Sequence, residues 1–136
     1  MGGRGYKNDV NGYLNGNKRT VEFKSAFKTD DGKIDILYDI ASPKAPTMPI
    51  FSNTENKIYA IIGKNGQIKS IGFYDEKHML IKTIHLDHND NKHSQHVHDG
   101  DNYHHISGKG RILTDSEHAI TNRILNIWKT KKNETI

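Results

Sequence analysis

The 136-residue chain contains no cysteine. That absence rules out disulfides, thiolate metal ligands and cysteine nucleophiles, so any bound metal must be held by imidazole and oxygen, and it fits a reducing cytosol. Proline is scarce and local. All three stand together, at Pro43, Pro46 and Pro49, where a fixed φ and a missing amide donor keep regular structure out of residues 41–56. No apolar run approaches the roughly 18 residues of a membrane span and the N-terminus has no apolar signal core, so the expectation is a soluble intracellular protein with no membrane partner. Apolar residues make up only 33% of the chain, 26% is charged and mean hydropathy is -0.81. A small core and long polar loops follow, within one domain, 1–136, of a length that buries a core without a partner and is expected as a monomer. The net charge of +4 and pI near 9.2 imply mild attraction to phosphates or acidic surfaces and exclude an acidic imitation of DNA. Without an arginine-rich block, a solvated surface is the simpler reading of that charge.

What the chain has in excess is histidine in one place. Of nine histidines, seven (His85, His88, His93, His96, His98, His104 and His105) fall between residues 85 and 105. Folding alone does not require so local a composition. Neutral imidazole is the commonest protein ligand for zinc and related ions, so this stretch reads first as a metal site.

The rest of the chain reads as scaffold for it. Residues 1–19 carry glycine at 2, 3, 5, 12 and 16 and almost no periodic apolar pattern, the composition of a flexible arm. Arg4, Lys7, Lys18 and Arg19 with Tyr6 and Tyr13 offer the cations and rings that single-stranded nucleic acid binds, but a polar terminus explains them equally simply. In residues 20–56, Val21, Phe23, Ala26 and Phe27, then Ile34, Ile36 and Tyr38, mark two strands around the turn residues Thr29-Asp30-Asp31-Gly32, a hairpin followed by the proline-rich connection. Residues 57–88 alternate as a three-stranded meander. Ile58, Ala60 and Ile62 lead into Gly63-Lys64-Asn65-Gly66; Ile68, Ile71 and Phe73 lead into Asp75-Glu76-Lys77-His78; Leu80, Ile81, Ile84 and Leu86 return. Residues 89–110 form the histidine-rich loop, and 111–136 a C-terminal helix and tail. Thr114 and Glu117 make a capping box, Ile120, Ile124, Ile127 and Trp128 fall on one stripe, and Lys129, Lys131 and Lys132 suit the helix end. The predicted fold is α+β: an antiparallel sheet, built from the N-terminal hairpin and the meander, with the helix packed on it and a metal-binding loop.

Side chains in an extended segment alternate with period two, so His96-Val97-His98 puts two imidazoles on one side of one rigid piece. Asp87 and His88 leave the end of the meander's last strand, with seven residues separating His88 from His96, and His104 follows Gly100 and its flanking acids. These five, Asp87, His88, His96, His98 and His104, are the candidate ligands, of which Asp87 and His88 point oppositely if both are extended. Zinc takes four ligands tetrahedrally; imidazole and carboxylate favour it over iron or manganese and leave nickel and copper as competitors. His85, His93 and one of His104 and His105 are expected in solvent, as are His78 in a hairpin turn and His118 early in the helix. A closed zinc would fasten a polar region that has little apolar material to order it. A catalytic ion would need an open position and a base, for which Asp87, Glu117 or a spare histidine would serve.

The block KIYAIIGKNGQIKSIGFYDEKHMLIKTIHLDH, then HVHDG, then the RILTDSEHAITNRI helix, with GGRG at the N-terminus, resembles a family of small, histidine-rich phage and prophage proteins. The likeness covers most of the chain from about residue 57. Its signature, a strand ending Leu-Asp-His followed by His-x-His-x-Gly, matches Asp87, His88, His96 and His98 in this chain. In size and histidine-rich centre the chain is similar to zinc-containing anti-CRISPR proteins, inhibitors of the RNA-guided effector nuclease of type II systems. The resemblance implies a non-catalytic inhibitor in the host bacterial cytoplasm, with structural zinc on those four residues and that effector nuclease as protein partner. It implies at most indirect contact with guide RNA or target DNA, and it transfers no contact residue. The competing expectation is an enzyme. Leu86-Asp87-His88 resembles the strand end of ββα-metal (His-Asn-His) nucleases, with His118 and Asn122 on the helix, although His96-Val97-His98 has no place in that pattern. Clustered imidazoles titrating near neutrality would alternatively serve a toxin-type ribonuclease as acid and base.

Overall fold

The computed structural model describes residues 13–14, 17–18, 23–40, 46, 48–49, 51–52, 54–86, 96–99 and 111–134. Two short strands, β1 (Tyr13–Leu14) and β2 (Asn17–Lys18), pair antiparallel within the segment expected as an arm. The main sheet comprises β3 (Phe23–Lys28), β4 (Ile34–Asp39), β5 (Ile58–Ile62), β6 (Ile68–Tyr74), β7 (Leu80–His85) and β8 (His96–Asp99), adjacent in chain order. Every neighbouring pair is antiparallel except β4 and β5, which run parallel. Helix α1 (Asp115–Glu134) follows. The architecture is α+β: an open, mostly antiparallel six-stranded sheet with a C-terminal helix. Among the described residues no helix is long and apolar enough to cross a membrane.

Turn chemistry sets the hairpins. Between β3 and β4 the Thr29 hydroxyl donates to Asp31 Oδ1 at 2.6 Å, the Gly32 amide reaches Thr29 O at 2.8 Å, and Gly32 takes φ +73°. Between β5 and β6 the Gly66 amide donates to Gly63 O at 3.0 Å with φ +84°, a left-handed conformation that glycine adopts without steric cost. Asp75 Oδ1 accepts the amides of Lys77 and Met79 before β7.

Each face of the sheet has its own core. Ile34, Ile36, Ile58, Ala60, Ile62, Ile68, Ile71, Ile84 and Val97 lie against Ile124 and Trp128 of α1. Phe23, Leu37, Tyr59, Ile61, Tyr74 and Leu80 form the opposite face, covered by Met48 and Phe51 of the proline-rich connection. A parallel pair needs a crossover, and within it the described residues Met48 and Phe51 pack on this face of the sheet. A Cβ on Gly72 would stand 2.7 Å from Met48 Sδ and 2.9 Å from Met48 Cγ, so glycine lets Met48 lie directly on β6. Burial on both faces explains why β5 is apolar at every position. It also places Asp35, expected on a half-exposed strand, at 0% exposure, with its Oδ1 accepting the Ser25 hydroxyl at 2.6 Å and Lys28 Nζ 3.9 Å from Oδ2, an ion pair without a hydrogen bond.

The capping box forms as expected: the Glu117 amide donates to Thr114 Oγ1 at 3.2 Å and the Thr114 amide to Glu117 Oε1 at 2.8 Å. The stripe that α1 buries is Glu117, Thr121, Ile124 and Trp128, while Ile120 and Ile127 sit half-buried at its margin. Trp128 Nε1 donates to Gly66 O at 2.9 Å, tying the helix to the β5–β6 turn.

Candidate functional site

Strand β8 lies within the segment expected as a loop, and its register builds the site. It pairs with β7 as Lys82↔Asp99, Thr83↔His98, Ile84↔Val97 and His85↔His96. Directly opposed residues share a face of the sheet. Ile84 and Val97 are in the core beneath α1, so Thr83, His85, His96 and His98 occupy the other face, and Lys82 and Asp99 face the helix. The expected alternation of His96 and His98 holds.

His96 and His98 converge. Their Nε2 atoms are 3.1 Å apart and their ring centroids 4.8 Å apart. At that distance either one imidazole donates its Nε2–H to the lone pair of the other, or both lone pairs address a common cation. Two nitrogens bound tetrahedrally to zinc at 2.0–2.1 Å would be about 3.3 Å apart, so the donor pair fits such an ion with little adjustment.

His85, expected in solvent, belongs to the same cluster. Its half-buried ring lies 5.3 Å from that of His96, nearly parallel at 21°, and 4.9 Å from that of His98 at 83°. The available signal was that the strand through Leu86 carries His85 onto the sheet, where a cross-strand partner fixes it. Asp87, His88 and His104, like His93 and His105, lie outside the described residues. Among the described residues no group of three or more His, Asp or Glu side chains is arranged to hold an ion as it stands. Thr83, beside His98, is 2% exposed, and its hydroxyl has no hydrogen-bond partner among the described residues.

On the helix side, an ion-pair network holds β8 in place. The Arg111 backbone exchanges hydrogen bonds with Val97 at 2.8 and 2.9 Å. Its guanidinium grips Asp99 through Nε and Nη2 at 2.6 and 3.0 Å, and Glu117 through Nη1 and Nη2, each at 2.9 Å. Lys82 Nζ adds a 2.9 Å contact to Glu117. Bidentate pairing with Arg111, then the Lys82 and Thr114 contacts, hold the Glu117 carboxyl well below its ordinary range against the opposing effect of burial. Asp99 is likewise lowered, first by its hydrogen bonds to Arg111.

This network removes Glu117 as a candidate base: it serves three cationic or amide partners on the face opposite the histidines. His118 and Asn122 are exposed on α1, on the helix side and away from His96 and His98, while Asp87 and His88, the other half of the ββα-metal pattern, lie outside the described residues. His78 takes φ +70° in its turn, with Nδ1 3.2 Å from Ser52 O, away from the cluster.

Compared with known proteins, the chain matches no protein family, no curated protein and no solved structure.

Proposed function

We propose that this chain is a zinc-binding protein that acts by binding another protein, and that its ion is structural, fixing the polar region around β8. The observation that supports the zinc reading is the convergence of His96 and His98, 3.1 Å apart at Nε2, on the side of the sheet away from α1. Asp87, His88 and His104 are the proposed sources of the remaining ligands, the first two from the motif resemblance described above. That resemblance supplies the partner: the effector nuclease of a type II CRISPR system in the bacterial host, inhibited at target loading or cleavage. The consumption of Glu117 by Arg111 and Lys82 favours binding over hydrolysis, because it takes away one of the groups that the sequence offered as a base.

A second reading, a small nuclease using imidazoles as acid and base, is favoured by one observation: three half-buried histidines, His85, His96 and His98, share one patch. General acid–base catalysis by histidine needs such juxtaposition. One experiment separates the two. Purified protein is mixed with type II effectors, with and without guide RNA, and separately with plasmid DNA and total RNA. Binding with protection of target DNA and no degradation supports the inhibitor. Degradation that disappears in folded His96→Ala or His98→Ala establishes the nuclease, and neither binding nor degradation refutes both.

A further inference from the structure

We infer that His85 is a third ligand, completing a three-histidine zinc centre with His96 and His98, and that the Thr83 hydroxyl is a hydrogen-bond partner for whatever oxygen ligand fills the fourth position. This rests on the zinc reading and specifies its donor set. Three observations on two adjacent strands carry it.

The first is position. His85 and His96 are direct cross-strand partners, and His98 pairs with Thr83 one rung further, so the three imidazoles and the hydroxyl form a contiguous square on one face. The second is size. Ring centroids are separated by 4.8, 4.9 and 5.3 Å. Three imidazoles bound tetrahedrally to one zinc at 2.0–2.1 Å would have their centroids about 5.2 Å apart. The triangle is already that of a three-histidine centre. What differs is ring attitude, since the three donors do not meet at one point as they stand. The torsion that sets the plane of a histidine ring is broad and soft, so rotation of the His85 ring is a small adjustment. The third is Thr83. A hydroxyl on a residue 2% exposed, without a partner among the described residues, is a donor and acceptor held ready beside His98. It suits an oxygen ligand in the fourth position, water or a carboxylate.

The three strand-borne ligands leave one position for a group from outside the sheet, where Asp87, His88 or His104 would enter.

The test uses the full chain, produced without an affinity tag, stripped with chelator and reloaded with zinc. X-ray absorption counts imidazoles on the ion, and competition with a chromophoric chelator gives the affinity. The expected result for the unaltered chain is at least three imidazoles. His85→Ala loses one of them and weakens binding by more than about 100-fold, beyond the about 10–100-fold that loss of an outer partner costs. Thr83→Val, which keeps the shape of the side chain, weakens binding about 10-fold, and His118→Ala on exposed α1 changes nothing. Circular dichroism of the apo forms shows which variants keep the fold; if His85→Ala does not, the imidazole count on the unaltered chain and Thr83→Val still decide. Zinc bound with two imidazoles, or with unchanged affinity in folded His85→Ala, overturns this inference and leaves the His96–His98 site standing. No zinc on the unaltered chain overturns both.

Discussion

Arg111 serves Asp99 and Glu117 at once, and that single side chain joins the edge strand β8 to the start of α1. Arg111→Met keeps much of the aliphatic stem and leaves the Glu117 carboxylate buried with Lys82 as its remaining cation. Full loss of a buried partner costs about 3–5 kcal/mol; because the Arg111 side chain is 39% exposed, the expected loss is smaller, about 1–3 kcal/mol, as for one charge-assisted hydrogen bond. Urea unfolding measures it. The same network gives a pH dependence. Glu117 and Asp99 have folded pKa values below their unfolded ones, so their stabilisation is complete above the unfolded values, near 4.5 for Glu117, and is lost as pH falls through that range toward the folded values. The urea midpoint therefore drops on acidification below about pH 4.5, and Glu117→Gln flattens that part of the curve. None of this could be read from the sequence, where Glu117 is equally a capping residue, a base or an ion-pair partner. The capping role was visible because it is local; the other partners, Arg111 and Lys82, reach it only after β7 and β8 have paired.

At the level of elements, what is local was readable and what is assembled was not. The meander followed from alternation at Ile58, Ala60 and Ile62 and from the Asn65-Gly66 turn, because a period of two and a left-handed glycine each have a local cause. The parallel pairing of β4 with β5 had no local cause. It depends on a proline-rich stretch from which Met48 and Phe51 pack on the sheet, and the burial of Asp35 beside Ser25 and Lys28 likewise appears only once the strands are assembled. Strand β8 offered one buried apolar residue, Val97, in four, too little pattern to distinguish it from loop; His85 was consequently assigned to solvent instead of to His96. Two substitutions test the elements. Thr114→Ala removes the cap and is expected to cost about 1 kcal/mol. Gly66→Ala forces a side chain into φ +84° and is expected to cost about 1 kcal/mol, while also disturbing the carbonyl that Trp128 holds. Both are read from thermal or urea midpoints.

For the molecule as a whole, the sheet separates two tasks. One face carries α1 and the ion pairs that fix β8, and the other carries the histidines and the proline-rich layer. An ion that binds only the folded chain raises its stability by mass action, about 2.7 kcal/mol at a hundredfold excess over Kd. Chelation should then lower the melting temperature by about 8–11 °C, at about 3–4 °C per kcal/mol for a chain of this size, and zinc should restore it. The net charge of +4 adds mild attraction to acidic surfaces, so association with the proposed partner, an effector nuclease, is expected to weaken as salt rises.

The central claim is that His96 and His98 face one ion across 3.1 Å. Elemental analysis of the full chain, made without an affinity tag and dialysed against metal-free buffer, measures it directly. About one zinc per chain, falling to background in folded His96→Ala and His98→Ala, is the outcome the proposed zinc centre predicts. Metal at background in the unaltered chain, with no uptake when zinc is offered, would mean that the approach of the two imidazoles holds no ion and that no zinc centre exists.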